Sequence, residues 1–472
     1  MPRGPDSTSE SPPASDWVEL TVCPACGAAP LMAEANINGF LACPACKRAY
    51  PPLAQVPCIL RDREAWISRW RIQATAFREM MQQAGARIET DLARFDLLPR
   101  THARLSGFLE ANRTNTEQVL ALLADAQLSP HDDLPDDRRA LVQEELHGAQ
   151  GRLPLTHHYE LLLRDWAWPT TENEQAAERI TRALGAAPAQ GRMLVLGAGA
   201  GRLAHDLHHH LRPEQTLLLD LDPLLVLAAQ KILFGPGLPF IEFPLAPDSE
   251  SRVWIEHHLR RPGEAPQGLH LVLADALHPP LAPGRFDTVV TPWLLDVIDV
   301  DARRVMGLVH TLLAPGGRWV NSGPLLYPPG RPPSQRFCPE ELLELAQLAG
   351  FEIERQGIEE VRYLCSPASG HARLESVLTF VARKGSPPGA GVGMPPAWVM
   401  LPHLPVQAPP GARRTKPGHP LLREALALID GERTLDQIAA VLRERGRIPA
   451  GVSAHDATAA HLLELHRVLG AN

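Results

Sequence analysis

Met193-Leu-Val-Leu-Gly-Ala-Gly-Ala-Gly-Arg-Leu-Ala-His-Asp-Leu207 is the stretch on which the reading of this chain turns. An apolar run gives way to Gly197, Gly199 and Gly201 and then to a helical pattern, so a strand should bend sharply into a helix. Glycine at those positions permits the bend and brings backbone close to a ligand that a Cβ would hold off. The dinucleotide fingerprint GxGxxG would need glycine at 202, where Arg202 stands. A pyrophosphate-binding loop, and with it a nicotinamide-dependent reductase, is therefore disfavoured.

Outward from the loop, short apolar runs alternate with helical stretches: MLVLG, TLLLDLD, LHLVLAD, FDTVVTP and GRWVNSG. That alternation predicts an α/β fold, a parallel sheet with helices on both faces. Asp220 ends LLLD, where a carboxylate can accept both hydroxyls of a ribose, with Asp222 as its competitor. Asp275 closes LVLAD at the next strand tip, placed for an adenine amino group. The plainer reading of both acids is helix N-capping. A Pro-Gly-Gly turn in LLAPGGRWVNSGPLLYP fits the latter half of such a sheet.

Cys23-Pro-Ala-Cys26 and Cys43-Pro-Ala-Cys46 have zinc-ribbon spacing. Four thiolates leave no open position, so the ion would be structural. The rival reading, two redox dithiols, lacks the βαβ context of such motifs. Cys58, Cys338 and Cys365 are left as free thiols. This cysteine usage suits a reducing compartment.

A length of 472 residues and a net charge of −8 predict several domains and no concentrated basic surface, so nucleic acid is not the expected partner. No apolar run is long enough for a bilayer and the N-terminus does not read as a signal peptide, which makes a cytoplasmic protein without a membrane partner the expectation. The expected division is a disordered tail over 1–16, a zinc ribbon over 17–61, a helical segment over 62–150, the catalytic domain over 151–384, a Pro/Gly-rich linker over 385–416, and a helical or winged-helix domain over 417–472 with Thr434 as an N-cap. Periodicity at Trp66, Trp70, Phe77 and Met81, and at Val119, Leu122 and Leu123, marks the helical segment. No internal repeat is evident.

LLLRDWAW, LGAGAGRLA, LLLDLD, LADAL, PWLLDVI and NSGPLLYP stand in the order of the corresponding motifs of the carnosine N-methyltransferase family. The chain resembles that family over about 155–384, including the closing segments RFCPEELLELAQLAGFEIERQGIEEVRYL and VLTFVARK. The resemblance implies a Rossmann-like class I methyltransferase sheet and S-adenosyl-L-methionine as cofactor. Arg164 would bind its methionine carboxylate, Gly197 to Gly201 would pass beneath it, and Asp220, Asp275, Ala276 and Pro292 would surround the nucleoside. It further implies Asp296 as the substrate-facing acid and Tyr363 as a residue holding an imidazole. Pro328 departs from the family, which has histidine after LLY. Losing that donor and acceptor puts carnosine itself in doubt, with His371, His157 or His158 as substitutes.

The cysteine segment resembles the zinc-ribbon proteins that activate tRNA and translation-factor methyltransferases, and DGERTLDQIAAVL is similar to PqqD-like winged helices that hold leader peptides. A small-molecule or peptide methyl acceptor follows, with protein contacts through the ribbon or the C-terminal domain. In methyl transfer from a sulfonium, Asp296 would accept a proton or orient the acceptor, its plainer reading being a helix cap. Trp293, Trp166 and Trp168 are pocket-lining candidates equally readable as packing, and His208 to His210 read as a surface helix face. The alternative function is a non-catalytic adaptor that binds S-adenosylmethionine, or nothing, and works through its ribbon and terminal domain.

Overall fold

The structure, a computed structural model, describes residues 16–34, 39–132, 134–148, 154–185, 191–244, 246–386, 396–400, 404–408, 411–412, 418–448 and 454–470. The tail expected over 1–16 lies almost wholly outside them, as does much of the linker. Among the described residues no helix is long and apolar enough to cross a membrane.

The chain opens on a small antiparallel sheet of β1 (Met32–Ala33), β2 (Leu41–Ala42) and β3 (Ala49–Tyr50). Three helices follow, α1 (Arg63–Leu92), α2 (Pro99–Asp125) and α3 (Asp136–Gly148). Asp62 starts α1 by accepting the Ala65 N–H at 3.0 Å, and Pro99 opens α2, where its missing donor costs nothing. Then come α4 (Pro154–Trp166), α5 (Glu172–Leu184), β4 (Arg192–Leu196), α6 (Arg202–Leu211), β5 (Gln215–Asp220) and α7 (Pro223–Leu233). A hairpin of β6 (Leu238–Glu242) and β7 (Ile255–Leu259) precedes β8 (Leu269–Leu273), β9 (Phe286–Pro292), α8 (Ala302–Leu312), β10 (Leu313–Gly323), α9 (Pro339–Leu348), β11 (Phe351–Tyr363) and β12 (Arg373–Lys384). The chain closes with α10 (Ala397–Met400), α11 (Pro420–Leu428), α12 (Leu435–Glu444) and α13 (Ala454–Gly470).

Seven strands form one sheet in the order β11-β12-β10-β9-β4-β5-β8. Read from β8 and numbered along the sheet's own sequence, that is third, second, first, fourth, fifth, seventh, sixth, a Rossmann-like methyltransferase order. The central pairs are parallel, with Val195 opposite Leu218 and Val290. Parallel strands are covered on both faces, which is why MLVL, LLL and TVV are continuous apolar runs and why their side chains are buried. Strand order reverses between β4 and β9, and in open α/β sheets ligands bind beside the strand ends at such a reversal.

By compactness the chain forms two units, Met1–Leu294 with Val320–Pro324 and Gly357–Thr379, and Leu295–Trp319 with Leu325–Gln356 and Phe380–Asn472. In the first unit the cysteine segment is joined to the sheet edge. The Ile59 N–H donates to the Leu273 carbonyl at 3.0 Å and the Leu273 N–H to the Pro57 carbonyl at 2.9 Å, a parallel bridge on the outer side of β8. Val22 and Ala282 donate to Pro280 and Leu20 at 2.8 and 2.7 Å, so an otherwise open edge is covered. The helical segment is fastened to the hairpin by Asn115, whose amide donates to the Ile241 carbonyl at 2.7 Å and accepts the Ile241 N–H at 2.9 Å. This side chain imitates a neighbouring strand. In the second unit α11, α12 and α13 enclose Leu421, Ala425, Leu435, Ile438, Leu442 and Leu462, and Thr434 forms a capping box with Gln437.

Replacing Asn115 leaves a buried N–H and a buried carbonyl unmet. Asn115→Ala should lower stability by about 2 kcal/mol, seen as a lower urea midpoint at unchanged slope; an unaltered midpoint would contradict this account.

Candidate cofactor site

All three loop glycines take left-handed backbone, with φ of 70° at Gly197, 56° at Gly199 and 82° at Gly201. Their neighbours differ. A Cβ on Gly201 would lie 3.0 Å from Leu233 and 3.2 Å from Leu218, so this glycine lets α6 and α7 settle against β5. A Cβ on Gly199 would meet only Leu225, at 4.0 Å, so that glycine serves the bend itself. Asp220 straps the loop: one carboxylate oxygen accepts the Gly199 N–H at 2.7 Å and the other the Asp222 N–H at 2.9 Å. Burial pushes its carboxyl above the usual range, against the pull of those N–H groups. Asp222 caps α7 through the Leu225 N–H at 3.1 Å and lies 3.0 Å from His158 on α4.

The RDW segment closes the other side of the loop. The Trp166 indole N–H donates to the Ala200 carbonyl at 3.0 Å, fixing the end of α4 to the glycine turn. Arg164 reaches Asp165 through Nε at 2.8 Å and Nη2 at 2.5 Å, and its guanidinium lies 5.0 Å from the centre of the Tyr363 ring. Burial opposes its charge, and Asp165 keeps it firmly protonated. Burial also raises the Asp165 carboxyl, with Arg164 and Arg202 pulling the other way. Arg202, which excluded the dinucleotide fingerprint, donates to the Asp165 carbonyl at 2.7 Å and to Asp206 at 2.7 Å.

Asp275, just past β8, accepts the Leu277 N–H at 2.8 Å and meets His278 at 3.0 Å, with Ala276 half-buried beside it. Pro292 is buried at the end of β9. Next to it Trp293 is held at φ 50°, a costly conformation for a bulky residue. Its N–H donates to the Ser322 carbonyl at 3.0 Å. A Cβ on Gly323 would come within 2.9 Å of Trp293 Cα, so the glycine of NSG is required there. The Trp293 ring stacks on Tyr363 at 4.1 Å and 17°. Burial raises the Tyr363 hydroxyl above its ordinary value. Arg164, Tyr363 and Trp293 thus form one stack, and the sequence motifs that carry them lie far apart.

In the second unit Asp296 is 3% exposed and accepts the Leu326 N–H at 3.2 Å. Buried Arg331 supports the same segment through the carbonyls of Ile298 and Val300. In the ribbon the four sulfurs of Cys23, Cys26, Cys43 and Cys46 all lie within 4.8 Å of one another, with 3.7 Å between Cys23 and Cys46 and 3.6 Å between Cys26 and Cys43. A tetrahedral ion with metal–sulfur bonds of about 2.3 Å spaces its sulfurs by roughly 3.8 Å, so these four residues could hold one metal ion. The Tyr50 hydroxyl lies 3.1 Å from the Cys23 sulfur, a further contact suited to a thiolate.

Several readings change. Trp166 and Trp168 are buried and anchored, the second through Glu242 at 3.0 Å, and are packing residues as they stand. His209 and His210 are exposed, as a surface helix face requires, whereas half-buried His208 bridges the Thr216 hydroxyl at 2.8 Å and the Gln267 carbonyl at 2.9 Å. Among the substitutes for the family histidine, His371 is exposed, His158 faces Asp222, and the side chain of His157 lies outside the described residues. Sequence reasoning missed Glu172, which accepts the Leu364 and Cys365 N–H groups at 3.0 and 2.8 Å and so fixes the turn after Tyr363. It also missed Asp165, although that residue sits inside the RDW motif.

No family model matches the chain, and no curated protein matches it. Solved structures similar to it include a 1,6-didemethyltoxoflavin N1-methyltransferase from Burkholderia thailandensis, at 20% identity, 55% of this chain, 93% of that one and a TM-score of 0.31. Others are an S-adenosylmethionine-dependent methyltransferase from Mesorhizobium loti, at 19% identity, 45% and 100% coverage and a TM-score of 0.30, and a TehB-like methyltransferase from Corynebacterium glutamicum, at 18%, 45%, 88% and 0.28. The functional reading rests on the chain's own residues.

Left-handed backbone and close packing together make Gly201 intolerant of a side chain. Gly201→Ala should destabilise by about 2–4 kcal/mol, measured by thermal unfolding, and a melting temperature equal to that of the unaltered protein would refute the assignment.

Proposed function

We propose that this chain is an S-adenosylmethionine-dependent N-methyltransferase whose acceptor is a small molecule or peptide related to carnosine. The observation that supports it best is the glycine turn strapped by Asp220 at the point where strand order reverses, with Arg164 anchored beside it. In this reading Arg164 binds the methionine carboxylate and Gly197, Gly199 and Gly201 pass beneath the cofactor. Asp220 accepts the ribose hydroxyls with its remaining lone pairs, and Asp275, Ala276 and Pro292 surround the adenine. S-adenosylmethionine would supply the methyl group to an acceptor nitrogen and would leave as a neutral thioether. Asp296 takes the proton released from nitrogen, and Tyr363 helps hold the acceptor.

The ribbon thiolates hold zinc in a closed structural site, and its role is to brace the edge of the sheet beside Asp275. Contacts with a protein or peptide, if the acceptor is one, fall to the ribbon or to the C-terminal helices. Pro328 is exposed and offers neither donor nor acceptor, so the acceptor differs from carnosine at the group the family histidine would meet. The adaptor reading is the weaker one, because a decayed cofactor site has no need to keep three left-handed glycines and their carboxylate strap.

Calorimetric titration with S-adenosylhomocysteine should show one site per chain, and Arg164→Met should weaken it by about tenfold or more, as expected for loss of a charge-assisted bond. With the acceptor identified from labelled S-adenosylmethionine and host extract, Asp296→Asn should keep that affinity within about twofold while turnover falls by about 100-fold or more. Undiminished turnover would remove Asp296 from the mechanism. Metal analysis should return one zinc per chain, and its removal by a chelator should lower the melting temperature; a metal-free protein of full stability would overturn the structural role.

A further inference from the structure

The cofactor reading assigns Arg164 on α4 to one end of S-adenosylmethionine and Asp220 at the end of β5 to the other. Nothing in those roles accounts for His158, which lies on α4 nearly two turns before Arg164 and faces the β5–α7 turn. Its Nε2 is 3.0 Å from an Asp222 carboxylate oxygen, and both side chains are largely buried, at 16% and 15% exposure. Asp222 stands two residues beyond Asp220, and its own N–H is held by that carboxylate. The pair therefore connects the helix that carries the methionine-end cation to the strand end that carries the ribose acid.

We propose that His158 is a positioning residue for the cofactor: its ion pair with Asp222 clamps α4 against the β5–α7 turn, sets the span between Arg164 and Asp220, and makes cofactor affinity fall as pH rises. This inference rests on the cofactor reading above. Asp222 remains the cap of α7 through the Leu225 N–H whatever the state of His158, so the clamp can loosen while the turn survives. The charges acting on His158 are Asp222 and, behind it, Asp220, both from the β5–α7 turn. On its own helix the adjacent Tyr159 is a neutral phenol that faces Phe77 of α1 and Phe240 of β6. Burial alone would lower the proton affinity of His158, and the two carboxylates more than offset it, leaving the imidazole above its ordinary value of 6.5. A raised histidine contributes fully below that ordinary value, and the contribution disappears as pH climbs through the raised one.

The test is calorimetric titration with S-adenosylhomocysteine from about pH 6 to about pH 8.5, on the unaltered protein, His158→Gln and Asp222→Asn. The ligand's α-amino group belongs to a free amino acid and begins to titrate only at the alkaline end of this range, and the variants share that component with the unaltered chain, so only the difference between the curves is read. The unaltered protein should lose about threefold to tenfold more affinity over the range than either variant, with the three proteins converging at the alkaline end. Asp222→Asn preserves a good helix cap, which guards against a variant that merely misfolds. Parallel curves for all three proteins, or a His158→Gln variant as tight at acid pH as the unaltered chain, would overturn the clamp while leaving the cofactor site in place. No binding at any pH would instead remove the cofactor reading, and this inference with it.

Discussion

One carboxylate strap conditions the rest of the site: Asp220 at the end of β5 accepting the Gly199 N–H from the turn after β4. A turn with three left-handed residues in close succession has little intrinsic stability, since each glycine loses more freedom on folding than any other residue would. The strap supplies a charge-assisted bond from the neighbouring strand and so fixes the turn relative to the sheet. Trp166 completes the enclosure from the other side through the Ala200 carbonyl. The turn is thus held by two elements that belong to different stretches of sequence, through contacts that the protein makes by itself.

The flanking modules make sense as supports for that geometry. The sheet edge at β8 would expose unpaired backbone groups, and the segment after the fourth ribbon cysteine covers it with a parallel bridge to Leu273. Leu20 and Val22 hold the chain just beyond Asp275. The four cysteine sulfurs of this segment lie within 4.8 Å of one another and could hold a metal ion that ties its turns together beside its buried Leu20, Leu31, Leu41 and Tyr50. On the other side the helical segment reaches the hairpin through Asn115, and Glu242 in that hairpin accepts from Trp168 and His257 and from the Ser366 hydroxyl. Burial raises that carboxyl while its hydrogen-bond donors lower it, and the donors prevail. Buried polar groups satisfied this fully define a single arrangement.

Two strained residues flank the aromatic stack, one just after β9 and one just after β11. Trp293 and Leu364 both take left-handed backbone, at φ 50° and 54°, and each is held by a specific partner: the Ser322 carbonyl for the first and the Glu172 carboxylate for the second. The residues between which these partners act, Trp293 and Tyr363, stack on one another. Such defined contacts hold both strained residues, and with them the stacked rings, in one orientation.

The sequence by itself determined the strands from β4 to β10 of the large sheet, since apolar runs at strand length punctuated by glycine and aspartate mark them, while the order in which they pair was left to the tertiary structure. It also determined the four-cysteine cluster, because CxxC turns carry their geometry locally. Asp220, Gly197 and Gly201 were legible for the same reason: each lies at a strand end that periodicity locates. Only the tertiary structure decided that the ribbon segment pairs with β8, that Asp165 pairs with Arg164 while its carbonyl accepts from Arg202, that Glu172 fixes the turn after Tyr363, and that His158 meets Asp222. Those contacts join residues from about 40 to more than 200 positions apart, or turn on a side-chain direction that no periodicity records. Local pattern specifies which faces are buried; the partner each polar group finds depends on how separate faces come together.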